Sequence, residues 1–158
     1  MEELQPHIKL KKGDLHRYII YPGDPARVRL IAKFFDDPKQ IQFNREYLTI
    51  NGSYKGVPIS AISSGMGCPS TLIGIEEMKH IGAETIIRIG TCGSLKNNIL
   101  TGDIVIPSAA IKEDGMMYEQ TITLKNPVKP DQQVFNALIE SAKKFDIEPK
   151  TGTNRTHD

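Results

Sequence analysis

Tryptophan is absent from this sequence of 158 residues, aromatic residues make up only 6% of it, and cysteine occurs twice. Cys68 and Cys92 stand far apart and in no metal-ligand spacing, which excludes a zinc-finger or ribbon reading. No apolar run approaches the roughly 18 residues that a membrane-spanning helix needs. The opening "MEELQPHIKLKKGDL" holds no apolar stretch of the kind found in a secretory leader. A cytoplasmic chain with reduced thiols is the expectation. An excess of charge is missing as well: 20 Lys+Arg against 19 Asp+Glu leave a net charge of +1. A protein that grips nucleic-acid phosphates is usually more basic, so the balance points to a small-molecule partner and away from nucleic acid. Neither the lysine-bearing Walker A loop nor a G-x-G-x-x-G after a first strand is present, which disfavours nucleoside triphosphates and dinucleotides.

What is present is an alternation of short apolar runs and helical patterns. Residues 57–63, "VPISAIS", alternate as a strand does, and 85–89, "TIIRI", read as a strand covered on both faces. Residues 103–107, "DIVIP", form another such run. Helical spacing recurs at Val28, Ile31 and Phe35 within 26–35, and at Leu72, Ile75 and Met78 within 70–80, where Gly82 supplies a stop. The strongest amphipathic pattern covers 131–145, with Val134, Leu138 and Phe145 on one side and Asp131 as the N-cap. Strands alternating with helices imply an α/β sheet with helices packed on it. In such sheets ligands bind at the carboxyl ends of strands. Three glycine-bearing loops, "PGDPAR", "SSGMGCPS" and "RIGTCGS", fall at those positions.

In "PGDPAR", Asp24 can cap the next helix and Pro25 suits its first turn. Gly23 lets the backbone turn and approach a ligand, while the helix start and the forked cation of Arg27 favour an anion. A plain strand-to-helix turn with a solvated arginine explains the same residues. Arg88 interrupts an apolar strand and requires a partner there, either a bound anion or a carboxylate such as Glu76 or Glu77. Gly90, Thr91, Cys92 and Gly93 then offer backbone donors and a hydroxyl. Cys92 reads as a small packed residue, since no base is positioned to activate it. His16 and His80 read as surface or helix-end histidines, Lys9, Lys11 and Lys12 as a solvated run. Without a continuation, the terminal segment around His157 is expected to be mobile.

The motifs "PGDPARV", "NREYLTINGSYKG", "SSGMGCPSTLIGIEEM", "RIGTCGSL" and "TGDIVIP" follow one another as they do in the hexameric nucleoside phosphorylase family, and the chain resembles that family over essentially its whole length. "PHIKLKKGDL" and "PSTLIGIEEM" are similar to uridine phosphorylases, while "GTCG" is similar to purine nucleoside phosphorylases. The resemblance implies a three-layer α/β/α fold with a mixed, twisted central sheet. It implies that 1–158 is a single phosphorylase-like domain, the N-terminal part of the family domain without its C-terminal elements. The implied reaction is phosphorolysis of a nucleoside, uridine first, to free base and ribose 1-phosphate. The alternatives are a purine nucleoside or methylthioadenosine phosphorylase, or an inactive member that keeps phosphate binding or oligomerisation.

Carried over residue by residue, the resemblance implies a phosphate site of Gly23, Arg27, Arg45, Arg88 and Thr91, with Arg88 and Thr91 catalytic. It implies nucleoside contacts from His7, Met66, Thr91, Cys92 and Gly93. Arg45 and His7 would reach the neighbouring subunit's site in a dimer-based homo-oligomer. Inorganic phosphate is the implied co-substrate and no cofactor is required. A monovalent cation, K+, would sit at the subunit interface near Glu46, Met66 and Ser70.

Overall fold

The computed structural model describes residues 3–113 and 127–157. Two compact units divide the chain, Met1–Thr91 and Cys92–Asp158. In the first, the element order is β1 (Tyr18–Pro22), α1 (Pro25–Ala32), β2 (Asp36–Asn44), β3 (Tyr47–Tyr54), β4 (Val57–Ile62), α2 (Cys68–His80) and β5 (Thr85–Ile89). The five strands form one sheet in the order β2-β3-β4-β1-β5. β3 pairs antiparallel with β2 and with β4, whereas β4, β1 and β5 are parallel, so the sheet is mixed.

Because side chains alternate across a strand, neighbouring residues bury themselves in different layers. Ile19, Tyr21, Tyr47 and Ile62 join Met78 and Ile81 from α2 and its end, together with Ile8 and Leu10 from the N-terminal segment. Leu48, Ile50 and Ala61, with Ile20, join Val28 and Ala32 of α1 and Phe35 beyond it. The helices therefore cover opposite faces of the sheet, the three-layer arrangement expected of alternating strands and helices.

The helix signals act as their chemistry dictates. Asp24 accepts the Ala26 N–H at 2.8 Å to cap α1, and Pro25 takes the first turn. α1 ends at Ala32, short of the expected 35, because the chain turns there to insert Phe35 (8% exposed) into the core. Gly82 adopts φ +106, a left-handed conformation that stops α2 at little steric cost.

β5 departs from expectation. It forms the sheet's edge, and its residues range from half-buried to exposed rather than covered on both faces. Arg88 is exposed, so the desolvation argument that demanded a partner for it does not apply.

In the second unit, β6 (Val105–Glu113) pairs in parallel with β7 (Lys150–His157), and α3 (Gln132–Lys144) contacts β6. β6 starts within the expected run 103–107 and continues well past it. The terminal segment expected to be mobile is β7, its backbone held by the ladder to β6. Asp131 caps α3 by accepting the Gln133 and Val134 N–H groups, each at 3.0 Å. Only Ala142 of this helix is buried; Val134 and Leu138 are half-buried, and Phe145 is 65% exposed instead of belonging to a core.

Candidate functional site

The parallel pairing of β4, β1 and β5 brings the three glycine-bearing loops to one edge of the sheet. The loops after β1 and β4 are joined by backbone hydrogen bonds: Ser64 N–H donates to the Pro22 carbonyl at 2.8 Å, and Gly65 N–H to that of Gly23 at 2.9 Å. A Cβ at Gly23 would lie 3.3 Å from the Gly65 carbonyl oxygen, so the glycine serves this close approach. Pro22 pairs with Ile89 in the register of β1 and β5, which sets Gly23 beside the start of the loop from Gly90 to Gly93.

The β2–β3 turn reaches the same edge, since β3 is antiparallel to β4 and pairs Thr49 with Ile62. Arg45 occupies that turn at φ +53 and is exposed. Ser63 fastens the turn to β4: its hydroxyl donates to the Glu46 carbonyl and accepts the Leu48 N–H at 2.8 Å. Ser70, in the first turn of α2, places its hydroxyl 2.6 Å from Glu46 Oε1 and also against the Ser64 carbonyl. The hydrogen bond from Ser70 holds the Glu46 carboxyl below its ordinary pKa. Tyr47 donates its hydroxyl to the Ser70 carbonyl at 2.8 Å, and Tyr21 donates to that of Thr71 at 3.2 Å. Burial raises both phenols' pKa, so they stay neutral donors anchoring α2 to the sheet.

Arg27 follows the β1 loop, Arg45 sits in the hairpin turn and Arg88 lies near the end of β5. Among the described residues no hydrogen bond or ion pair of their guanidinium groups is seen, although the Arg45 charge helps lower the Glu46 pKa; His7–Glu77 and Arg17–Glu84 are ion-paired. The guanidinium of Arg88 folds back over Gly90, where a Cβ would come within 2.9 Å of its Nη1. Neither acidic residue of α2 pairs with it: Glu76 is exposed and Glu77 is buried elsewhere. At the N-terminus of α1 the Asp24 carboxylate already takes the Ala26 N–H, so this donor is not available to an anion. Thr91 is exposed at the end of the first unit, while Cys92 and Gly93, also exposed, open the second. Met66 is 96% exposed between Gly65 and Gly67.

His7 is fixed from two directions. Asn44, at the end of β2, donates its amide to the His7 carbonyl at 2.7 Å. The Glu77 carboxylate receives the His7 N–H at 3.1 and 3.0 Å, the Ile8 N–H at 2.8 Å and His7 Nδ1 at 2.5 Å. Sequence reasoning offered Glu77 as a candidate partner for Arg88. The signal was its place between Gly74 and Met78 on the buried stripe of α2, where a carboxylate requires donors.

The profile of the phosphorylase superfamily matches residues 17–158. The chain belongs to that superfamily. It is 43% identical over 157 residues to a uridine phosphorylase of Thermococcus kodakarensis, covering 99% of this chain and 56% of that protein. It is 40% identical over 150 residues to a guanosine phosphorylase of Halorubrum lacusprofundi, covering 94% of this chain and 61% of that one. The fold superimposes with a TM-score of 0.93 on a purine nucleoside phosphorylase of Toxoplasma gondii in complex with immucillin-H, at 40% identity over 100% of this chain and 63% of that chain. The chain thus spans less than two-thirds of the length of these superfamily relatives.

Proposed function

We propose that the protein takes part in phosphorolysis of a nucleoside, with uridine as the leading substrate and inorganic phosphate as co-substrate. One observation carries this reading: Arg27 and Arg88, neither ion-paired among the described residues, stem from the loop after β1 and the end of β5, strands that pair in parallel. Cations without internal counterions beside glycine-lined backbone suit a multiply charged anion. Phosphate held there is the nucleophile, set beneath the anomeric carbon of a sugar that develops oxocarbenium character as the base departs. Arg27 and Arg88 orient it and offset its charge, which is catalysis by positioning and electrostatics. The Gly23 backbone and the Thr91 hydroxyl complete the phosphate contacts. Thr91 and Met66 line the sugar.

Arg45 and His7 serve the site of a neighbouring copy in a dimer-based homo-oligomer, a role suited to the exposed hairpin turn. A monovalent cation such as K+ would be held by the oxygens of Glu46 and Ser70 and by the Met66 carbonyl. The exposed thioether of Met66 is too soft a ligand for it. A purine nucleoside is the second reading, favoured by the guanosine phosphorylase relative and the purine enzyme's TM-score.

Arg88→Ala tests the assignment. The KM for phosphate should rise about ten- to a hundredfold, the worth of a hydrogen bond to a charged group, while the nucleoside KM changes little. An unchanged phosphate KM would remove Arg88 from the site.

A further inference from the structure

We infer that Glu77 is a positioning residue that fixes the tautomer of His7, and that it thereby makes the site selective for a sugar bearing a free hydroxyl where His7 meets it. The inference rests on the phosphorylase reading for the identity of the sugar, but its first part, the tautomer, stands on geometry alone.

Glu77 is 6% exposed, and both of its oxygens accept. Oε2 takes the His7 N–H at 3.0 Å and the Ile8 N–H at 2.8 Å; Oε1 takes the same His7 N–H at 3.1 Å and lies 2.5 Å from His7 Nδ1. Backbone N–H groups can only donate, so the carboxylate acts as acceptor at each of those contacts. The proton in the Nδ1 contact therefore belongs to the imidazole. A neutral His7 with Nδ1–H carries its lone pair on Nε2. Among the described residues Nε2 has no hydrogen-bond partner, and the side chain is 38% exposed. An outward Nε2 acceptor receives a hydroxyl proton and gains nothing from a thioether or a methyl group. On the phosphorylase reading, which sets His7 at the 5′ end of the ribose, that pattern favours a 5′-hydroxyl nucleoside over its 5′-deoxy or 5′-alkylthio analogue.

The hydrogen bonds from the His7 and Ile8 N–H groups keep this arrangement in register. They tie the main chain of the N-terminal segment to α2, so the ring cannot turn Nδ1 away without stripping a buried carboxylate of a donor. Asn44 restrains the same residue from the other side through its carbonyl. Free imidazole side chains in water favour the opposite tautomer only modestly, which makes the fixed form a measurable departure.

Two measurements test the proposal. Nitrogen-15 NMR of the histidine-labelled protein at alkaline pH, with His7 assigned by the His7→Asn variant, should show the Nδ1–H tautomer in the wild type. Nε2–H would overturn the proposal, with no mutation of Glu77 and no turnover needed. Glu77→Gln should shift His7 towards Nε2–H. The preference in kcat/KM for uridine over 5′-deoxyuridine should then narrow about three- to tenfold, with the phosphate KM unchanged. A merely structural Glu77 would lower both nucleosides' kcat/KM equally and leave their ratio intact, which contradicts the selectivity claim. If Glu77→Gln does not fold, the wild-type tautomer still decides. Absence of phosphorolysis in a wild type showing Nδ1–H would count against the phosphorylase reading instead.

Discussion

Several single residues have consequences that reach beyond the proposed anion site. Thr49 is fully buried in β3, and its hydroxyl has no hydrogen-bond partner. A buried hydroxyl that donates to nothing costs stability, so Thr49→Val, nearly the same shape, should stabilise the protein by about 1 kcal/mol in urea titration. A loss of stability would mean that the hydroxyl is satisfied after all. Glu46 behaves oppositely. Its folded-state pKa lies below the ordinary value, chiefly through the Ser70 hydrogen bond. Such a group adds stability above the ordinary carboxylate range and loses it as pH falls through the depressed value. Wild type should therefore be more stable than Glu46→Gln at neutral pH, and the gap should close on acidification; a gap independent of pH would contradict the assignment. Residue chemistry was legible where one residue suffices, as in the caps Asp24 and Asp131. It was not legible for Glu77, whose donors come from a segment 69 and 70 positions earlier. Arg88 was misjudged because an apolar strand sequence does not reveal whether its strand lies inside the sheet or at its edge.

At the level of elements, caps and stops agree with the sequence because they are local. Asp131→Ala should lower stability by about 1 kcal/mol, since both N–H groups it receives would be left to water, and Asp131→Asn should recover most of the loss. Equal thermal unfolding of all three proteins would argue that the cap contributes nothing. Strand β2 gave no such signal. Its sequence "DDPKQIQFN" contains Pro38 and several polar residues, it is an edge strand with irregular register, and most of its first half is exposed. Edge strands tolerate what central ones exclude, so the apolar alternation that marks a strand is absent there. β7 was missed for a related reason. "KTGTNRTH" is polar throughout, and what makes it a strand is its parallel ladder with β6, a contact distant in sequence.

For the molecule as a whole, the decisive feature is topological. Parallel order β4-β1-β5 aligns three loops widely separated in the chain, and an antiparallel hairpin adds a fourth segment to that edge. Alternation of strands and helices made the α/β class readable beforehand. The strand order was not readable, because it depends on pairing between distant segments. Superfamily membership and the unpaired guanidinium groups of Arg27 and Arg88 are what the proposed reading, cleavage of a nucleoside by phosphate, rests on. The measurement that tests this most directly is product analysis of uridine and guanosine incubated with the protein, with and without inorganic phosphate. The account predicts that base is released only when phosphate is present and that ribose 1-phosphate appears in equal amount. Base release without phosphate, yielding free ribose, or no release from either nucleoside, would contradict it.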